Sequence, residues 1–150
     1  MGFDGAWHVC QEEKAVNRKD ILNGIERFKK KGRKFLPEQI SGNLLASYGI
    51  PIPPAYIAKN AEKAVRCAQE LGLPVVLKVI SPEIIHKSDA GGVITNIDKK
   101  GKVREAFYRI VENARKYNPE AKVEGIYVQK MVPSGREVII GVVKGKQFGP

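Results

Sequence analysis

The chain has 150 residues, 43% of them hydrophobic and 28% charged, with a formal net charge of +10. That length and balance suit one globular domain with a real core and exclude a low-complexity or fibrous chain. No apolar run approaches the roughly 18 residues of a membrane span, and the start, "MGFDGAWHVC", lacks the basic-then-apolar pattern of a secretory leader. Cys10 and Cys67 form no spaced framework, which fits a reducing compartment and a cytoplasmic reading.

Residues 1–17 show no period and read as a tail or linker. Residues 18–31 place Ile21, Leu22, Ile25 and Phe28 at helical spacing, with Gly32 able to end the helix. The basic cluster "RFKKKGRK" lies at that end, where cations favour the helix dipole. Its plain reading is a solvated helix terminus, and no aromatic-rich strand or zinc-finger spacing makes it a nucleic-acid site. Residues 37–47 form a second short helix, with Pro37 in its first turn. "YGIPIPP" is an extended connector and "AYIA", 55–58, a short strand.

Asn60 caps a helix through Leu71, with Ala61, Ala64, Val65, Ala68 and Leu71 as its core face and Gly72 closing it. "PVVLKVI" is a buried strand carrying Lys78. The loop "SPEIIHKSDAGG" follows, then a strand, "VITNI", and a turn, "DKKGK". Residues 103–116 are the clearest helix, with Val103, Ala106, Phe107, Ile110, Val111 and Ala114 on one stripe. "VEGIYVQKMV", from about 123, and "REVIIGVV" are strands, and "KGKQ" is a turn. The expected class is α/β (α+β), with a sheet covered mostly on one side. The last strand has no partner before the sequence ends, which suggests an incomplete chain.

Three places offer chemistry. Lys78 stands among β-branched residues, so its ammonium either snorkels to water from an edge or meets an anion such as a nucleotide phosphate. The loop holds His86, Lys87, Ser88 and Asp89 before Gly91 and Gly92, whose lack of a Cβ lets backbone N–H groups approach phosphate oxygens. His86 is either a surface histidine or a nucleophile accepting a phosphoryl group; Asp89 either orients it or is a turn residue. Gln129, Lys130, Met131 and Val132 lead into a Pro-Ser-Gly turn that reads as a hinge able to hold a flat base. Glu137 could accept hydrogen bonds from ribose hydroxyls, or pair with Arg136 or a nearby lysine. No second histidine or cysteine has metal-ligand spacing.

Together "YGIPIPP", "LGLPVVLKVISPEIIHKSDAGGV", "VEGIYVQKMVPSGREVIIGV" and "QFGP" resemble the ATP-grasp (β) portion of NDP-forming acyl-CoA synthetases, such as ADP-forming acetate–CoA ligase. Succinyl-CoA synthetase β subunits carry a different Gly-rich loop at this point. The resemblance implies an ATP-grasp N-terminal lobe with a mostly antiparallel sheet flanked by helices over 18–132, and a second lobe only begun at 133–150. It implies ATP or ADP as ligand, with Lys78, Lys87, Ser88, Gly91 and Gly92 at the phosphates. Gln129 to Val132 would hold the adenine and Glu137 the nucleotide. His86 would relay a phosphoryl group from a histidine on a CoA-binding α subunit or α domain to ADP. Mg²⁺ ligands are expected beyond residue 150, and the 150-residue chain alone is expected to be inactive. The family's usual "DPQFGP" is altered here, where Gly145 and Lys146 precede Gln147. A non-catalytic nucleotide-binding module is the rival expectation.

Overall fold

The computed structural model describes residues 18–30, 32 and 35–141. The tail over 1–17, part of the basic cluster, the "KGKQ" turn and the "QFGP" end lie outside the described residues. The elements run α1 (Arg18–Lys30), α2 (Glu38–Ala46), β1 (Ala55–Ala58), α3 (Ala61–Leu71), β2 (Val75–Ile80), β3 (Val93–Ile97), α4 (Lys100–Tyr117) and β4 (Gly125–Lys130).

The four strands form one sheet in the order β1-β4-β2-β3, and every neighbouring pair is antiparallel. β2 is therefore an interior strand, and its side chains alternate between two faces. Val75, Leu77 and Val79 point to the face covered by α3 and α4, where they meet Ile126 and Val128 of β4 and Ala64, Ala68, Val103, Phe107 and Ile110 of the helices. The helices earn that place by period: Ala61, Ala64, Cys67 and Ala68 are the buried stripe of α3, and Val103, Ala106, Phe107, Ile110 and Ala114 that of α4. Val76, Lys78 and Ile80 point to the other face with Tyr127 and Gln129 of β4. That second face carries the candidate site.

Local chemistry sets the ends. The Asn60 side chain accepts from the Lys63 N–H at 2.8 Å and caps α3. Gly72, at φ +74, closes that helix in backbone space that a Cβ would disfavour. Burial pushes the Cys67 thiol pKa up, so it behaves as a small apolar core group.

Two expectations are corrected. "DKKGK" is not all turn, because α4 begins at Lys100 and its charged, exposed first turn extends the helix beyond its apolar stripe. "REVIIGVV" is no strand over its described residues, 136–141. A strand needs a neighbour to complete its hydrogen bonds, and here Val138, Ile139 and Ile140 are 73%, 98% and 88% exposed.

Candidate functional site

An open cleft of about 430 Å³ lies on the second sheet face, lined by Glu38, Lys78, Ile85, His86, Lys87, Ser88, Asp89 and Val93. Its floor comes from β2 and β3, where Lys78 and Val93 are cross-strand partners. Its wall is the tip of the β2–β3 loop, and its other side is the first turn of α2.

Lys78 is not at a sheet edge, and its ammonium is not left to water. It forms an ion pair with Glu38 Oε1 and donates to Gln129 Oε1 at 2.9 Å, with 22% of its side chain exposed. Lys87 Nζ stands 3.3 Å from Glu38 Oε2, so one carboxylate bridges the strand lysine and the loop lysine. Burial alone would raise the Glu38 pKa; the hydrogen bond and charge of Lys78, followed by those of Lys87, outweigh it and hold the carboxyl below its ordinary value.

The loop is docked rather than loose. Ile84 and Ala90 are buried in the core, leaving the tip from Ile85 to Asp89 facing the cleft. The Gly92 N–H donates to the Lys87 carbonyl at 2.7 Å, the Gly91 N–H to the Ser88 carbonyl at 3.0 Å, and the Val79 N–H to the Gly92 carbonyl at 2.8 Å. From α4, Asn113 Nδ2 donates to the Gly91 carbonyl at 2.9 Å. A Cβ on Gly92 would stand 2.5 Å from Val79 Cγ1, and one on Gly91, at φ +58, would stand 2.7 Å from Asn113 Nδ2. The glycines are accounted for by close packing and a tight turn. Their amides are already given to loop carbonyls, contrary to the expectation that they face a phosphate.

The other expected residues divide. His86 and Ser88 are exposed at the cleft beside Lys87, and no described side chain hydrogen-bonds the imidazole, Asp89 included. Gln129 points to the cleft face through its bond to Lys78. Lys130 points away: its ammonium donates to the Gly72 and Leu73 carbonyls at 2.8 and 3.4 Å, where α3 ends. Its cation is thus engaged at the helix terminus, while the hinge expectation for 129–132 rests on backbone hydrogen bonds and on the apolar side chains of Met131 and Val132. The Met131 N–H donates to the Pro74 carbonyl at 3.1 Å, while Val132 and Glu137 are exposed and do not line the cleft.

Glu38 and Asn113 were not singled out by the sequence. Asn113 continues the buried spacing of Ala106 and Ile110 in α4, so a polar residue on an apolar stripe was its available signal. Glu38 gave none beyond an acid in a helix's first turn. Among the described residues no group of three or more His, Cys, Asp or Glu side chains could hold a metal ion, and no helix is long and apolar enough to cross a membrane.

Comparison with known proteins adds a family. The chain is 48% identical over 126 residues to the ADP-forming acetate–CoA ligase I subunit beta of Pyrococcus furiosus, covering 84% of this chain and 54% of that one. Among solved structures it is similar to the Candidatus Korarchaeum cryptofilum dinucleotide-forming acetyl-coenzyme A synthetase 1 in complex with coenzyme A, Ca-AMPCP and HgCl⁺, with a TM-score of 0.81, 43% identity, and coverage of 85% of this chain and 56% of that chain. A second form of that enzyme, with coenzyme A, Mg-AMPPCP and a phosphohistidine segment pointing towards the nucleotide binding site, matches with a TM-score of 0.69, 38% identity and coverage of 89% and 54%. The chain thus spans about half the length of these three relatives. A family model described as an ATP-grasp domain matches residues 27–150, and the chain belongs to that family.

Proposed function

We propose that this chain is the nucleotide-binding, phosphoryl-relaying part of an ADP-forming acyl-CoA synthetase. It would work with a CoA-binding α subunit or α domain to interconvert acyl-CoA, ADP and phosphate with acid, CoA and ATP. The carrying observation is that the cleft gathers two lysines, a serine and an exposed imidazole on one sheet face, in a chain 48% identical to a subunit of such a ligase.

The chemistry asked of these residues is positioning and charge neutralisation. Lys78, fixed on an interior strand, and Lys87, on the loop tip, would face the phosphates, and the Ser88 hydroxyl would donate to a phosphate oxygen. Gln129 would orient Lys78 and adjoin the base; Met131 and Val132 would supply apolar contact to it and Glu137 a ribose contact. Gly91 and Gly92 would serve by shaping the loop. A magnesium ion, as in the Mg-AMPPCP relative, would neutralise phosphate charge; the described residues do not offer its ligand set.

In the relay, an imidazole nitrogen of neutral His86 attacks the phosphorus of a phosphohistidine on the α part. A P–N bond forms to His86, and the P–N bond to the donor breaks. A terminal phosphate oxygen of ADP then attacks the same phosphorus, the bond to His86 breaks, and ATP forms with His86 neutral again. Its exposure gives the ring access to both partners.

The test is ATP formation from acetyl-CoA, ADP and phosphate by the protein with its α partner. His86→Ala should lower the rate at least about a thousandfold, as loss of a nucleophile does, while ADP affinity stays within about twofold. A variant retaining a tenth of the rate would overturn the relay.

A further inference from the structure

Glu38 holds both phosphate-site cations, and it does so from a helix that contributes no residue to the core under the sheet. α2 contains no buried residue, and its main neighbour is α1. Its Pro37 N-cap gives no side-chain capping bond. Glu38 ties this helix to the sheet face and to the loop through its two carboxylate oxygens, one on Lys78 and one on Lys87. A carboxylate with its two oxygens on two ammonium groups occupies them as two oxygens of a terminal phosphate would, but with less negative charge.

We propose that Glu38 is a built-in competing anion at the phosphate site, and that an incoming nucleoside diphosphate displaces it and releases the N-terminal end of α2. The inference rests on the reading of this cleft as a nucleotide-phosphate site and adds what occupies it beforehand. Three features make the exchange feasible. The Glu38 side chain is 35% exposed and that of Lys87 29%, so phosphate can approach while the pairs persist. The core under the sheet is untouched when the N-terminal end of α2 moves, because α2 is only half-buried and contributes no residue to that core. Lys78 keeps Gln129 as a fixed partner during the exchange. The physical consequence is a threshold: ligands with enough phosphate charge to outcompete a carboxylate bind, and singly charged anions bind poorly.

The test is a titration of the full chain with ADP, and separately with inorganic pyrophosphate, followed by amide NMR shifts, for wild type and Glu38→Gln. Partly exposed ion pairs are individually weak, so Glu38→Gln should tighten binding of both probes by about three- to tenfold. Amides of residues 38–46 in wild type should lose hydrogen-exchange protection on saturation, and in the variant they should exchange fast from the start. Glu38→Asp, whose shorter side chain cannot span both lysines, should bind pyrophosphate with intermediate affinity and serves if the first variant folds poorly. Equal or weaker binding by the variants overturns the competing-anion role and leaves the nucleotide reading intact. Wild type and variants that all fail to bind both probes would overturn both.

Discussion

Glu38 and Gly92 are constrained by opposite physics, electrostatic in one case and steric in the other. The Gly92→Ala methyl would fall 2.5 Å from Val79 Cγ1 and 3.0 Å from the Lys87 carbonyl oxygen. Overpacking of that kind costs about 1–3 kcal/mol, whereas Gly101→Ala, on the open side of α4 with nothing within 4 Å, should gain about 0.5–1 kcal/mol. Chemical denaturation of the two variants checks the opposite signs. For Glu38 the folded-state pKa is depressed, chiefly by Lys78 and then Lys87 acting against burial. Its contribution is therefore full above the unfolded carboxyl value of about 4.3 and is lost as pH falls through the lower folded value. The thermal midpoint of wild type relative to Glu38→Gln should accordingly fall between about pH 6 and pH 3, and by less in high salt, since the pair is partly exposed. A gap that widened on acidification would contradict this assignment. At this scale the sequence exposed Lys78, His86, Lys87 and Ser88, because a charge in an apolar strand and a polar run beside glycines are local anomalies. It did not expose Glu38, which meets Lys78 across 40 positions of chain, a separation that no local period reports.

Among the elements, α3 and β1 were legible to the residue, because Asn60 and Gly72 punctuate one and Pro54 and Lys59 bound the other. The start of α4 was missed, since exposed lysines and Gly101 carry no periodic signal. The run "REVII" failed as a strand for a different reason: pairing depends on a neighbour, and β propensity cannot supply one. The β2–β3 loop shows how elements fix a site. Ile84 and Ala90 anchor it in the core and Asn113 ties it to α4. Asn113→Ala should cost about 1 kcal/mol and raise hydrogen exchange at 85–92 more than elsewhere. Uniform destabilisation, with the loop no more exposed than the strands, would show that the tether does not position it.

For the whole molecule, one antiparallel sheet separates two jobs. One face packs on α3 and α4 and makes the fold; the other sets Lys78 and Gln129 under the His86 loop. Amphipathic periods made the first face readable. The second was readable only where motif and resemblance coincided, and the side-chain direction of Lys130 was not, because it depends on where α3 ends. The central claim is that His86 carries a phosphoryl group. The most direct measurement is to incubate the protein, in the active complex with its α partner, with radiolabelled MgATP and test for a protein-bound, acid-labile and alkali-stable phosphoryl group. The account predicts label on wild type, none on His86→Ala, and discharge of the label by added ADP. Nucleotide binding without any such label, or label that persists in His86→Ala, would contradict it.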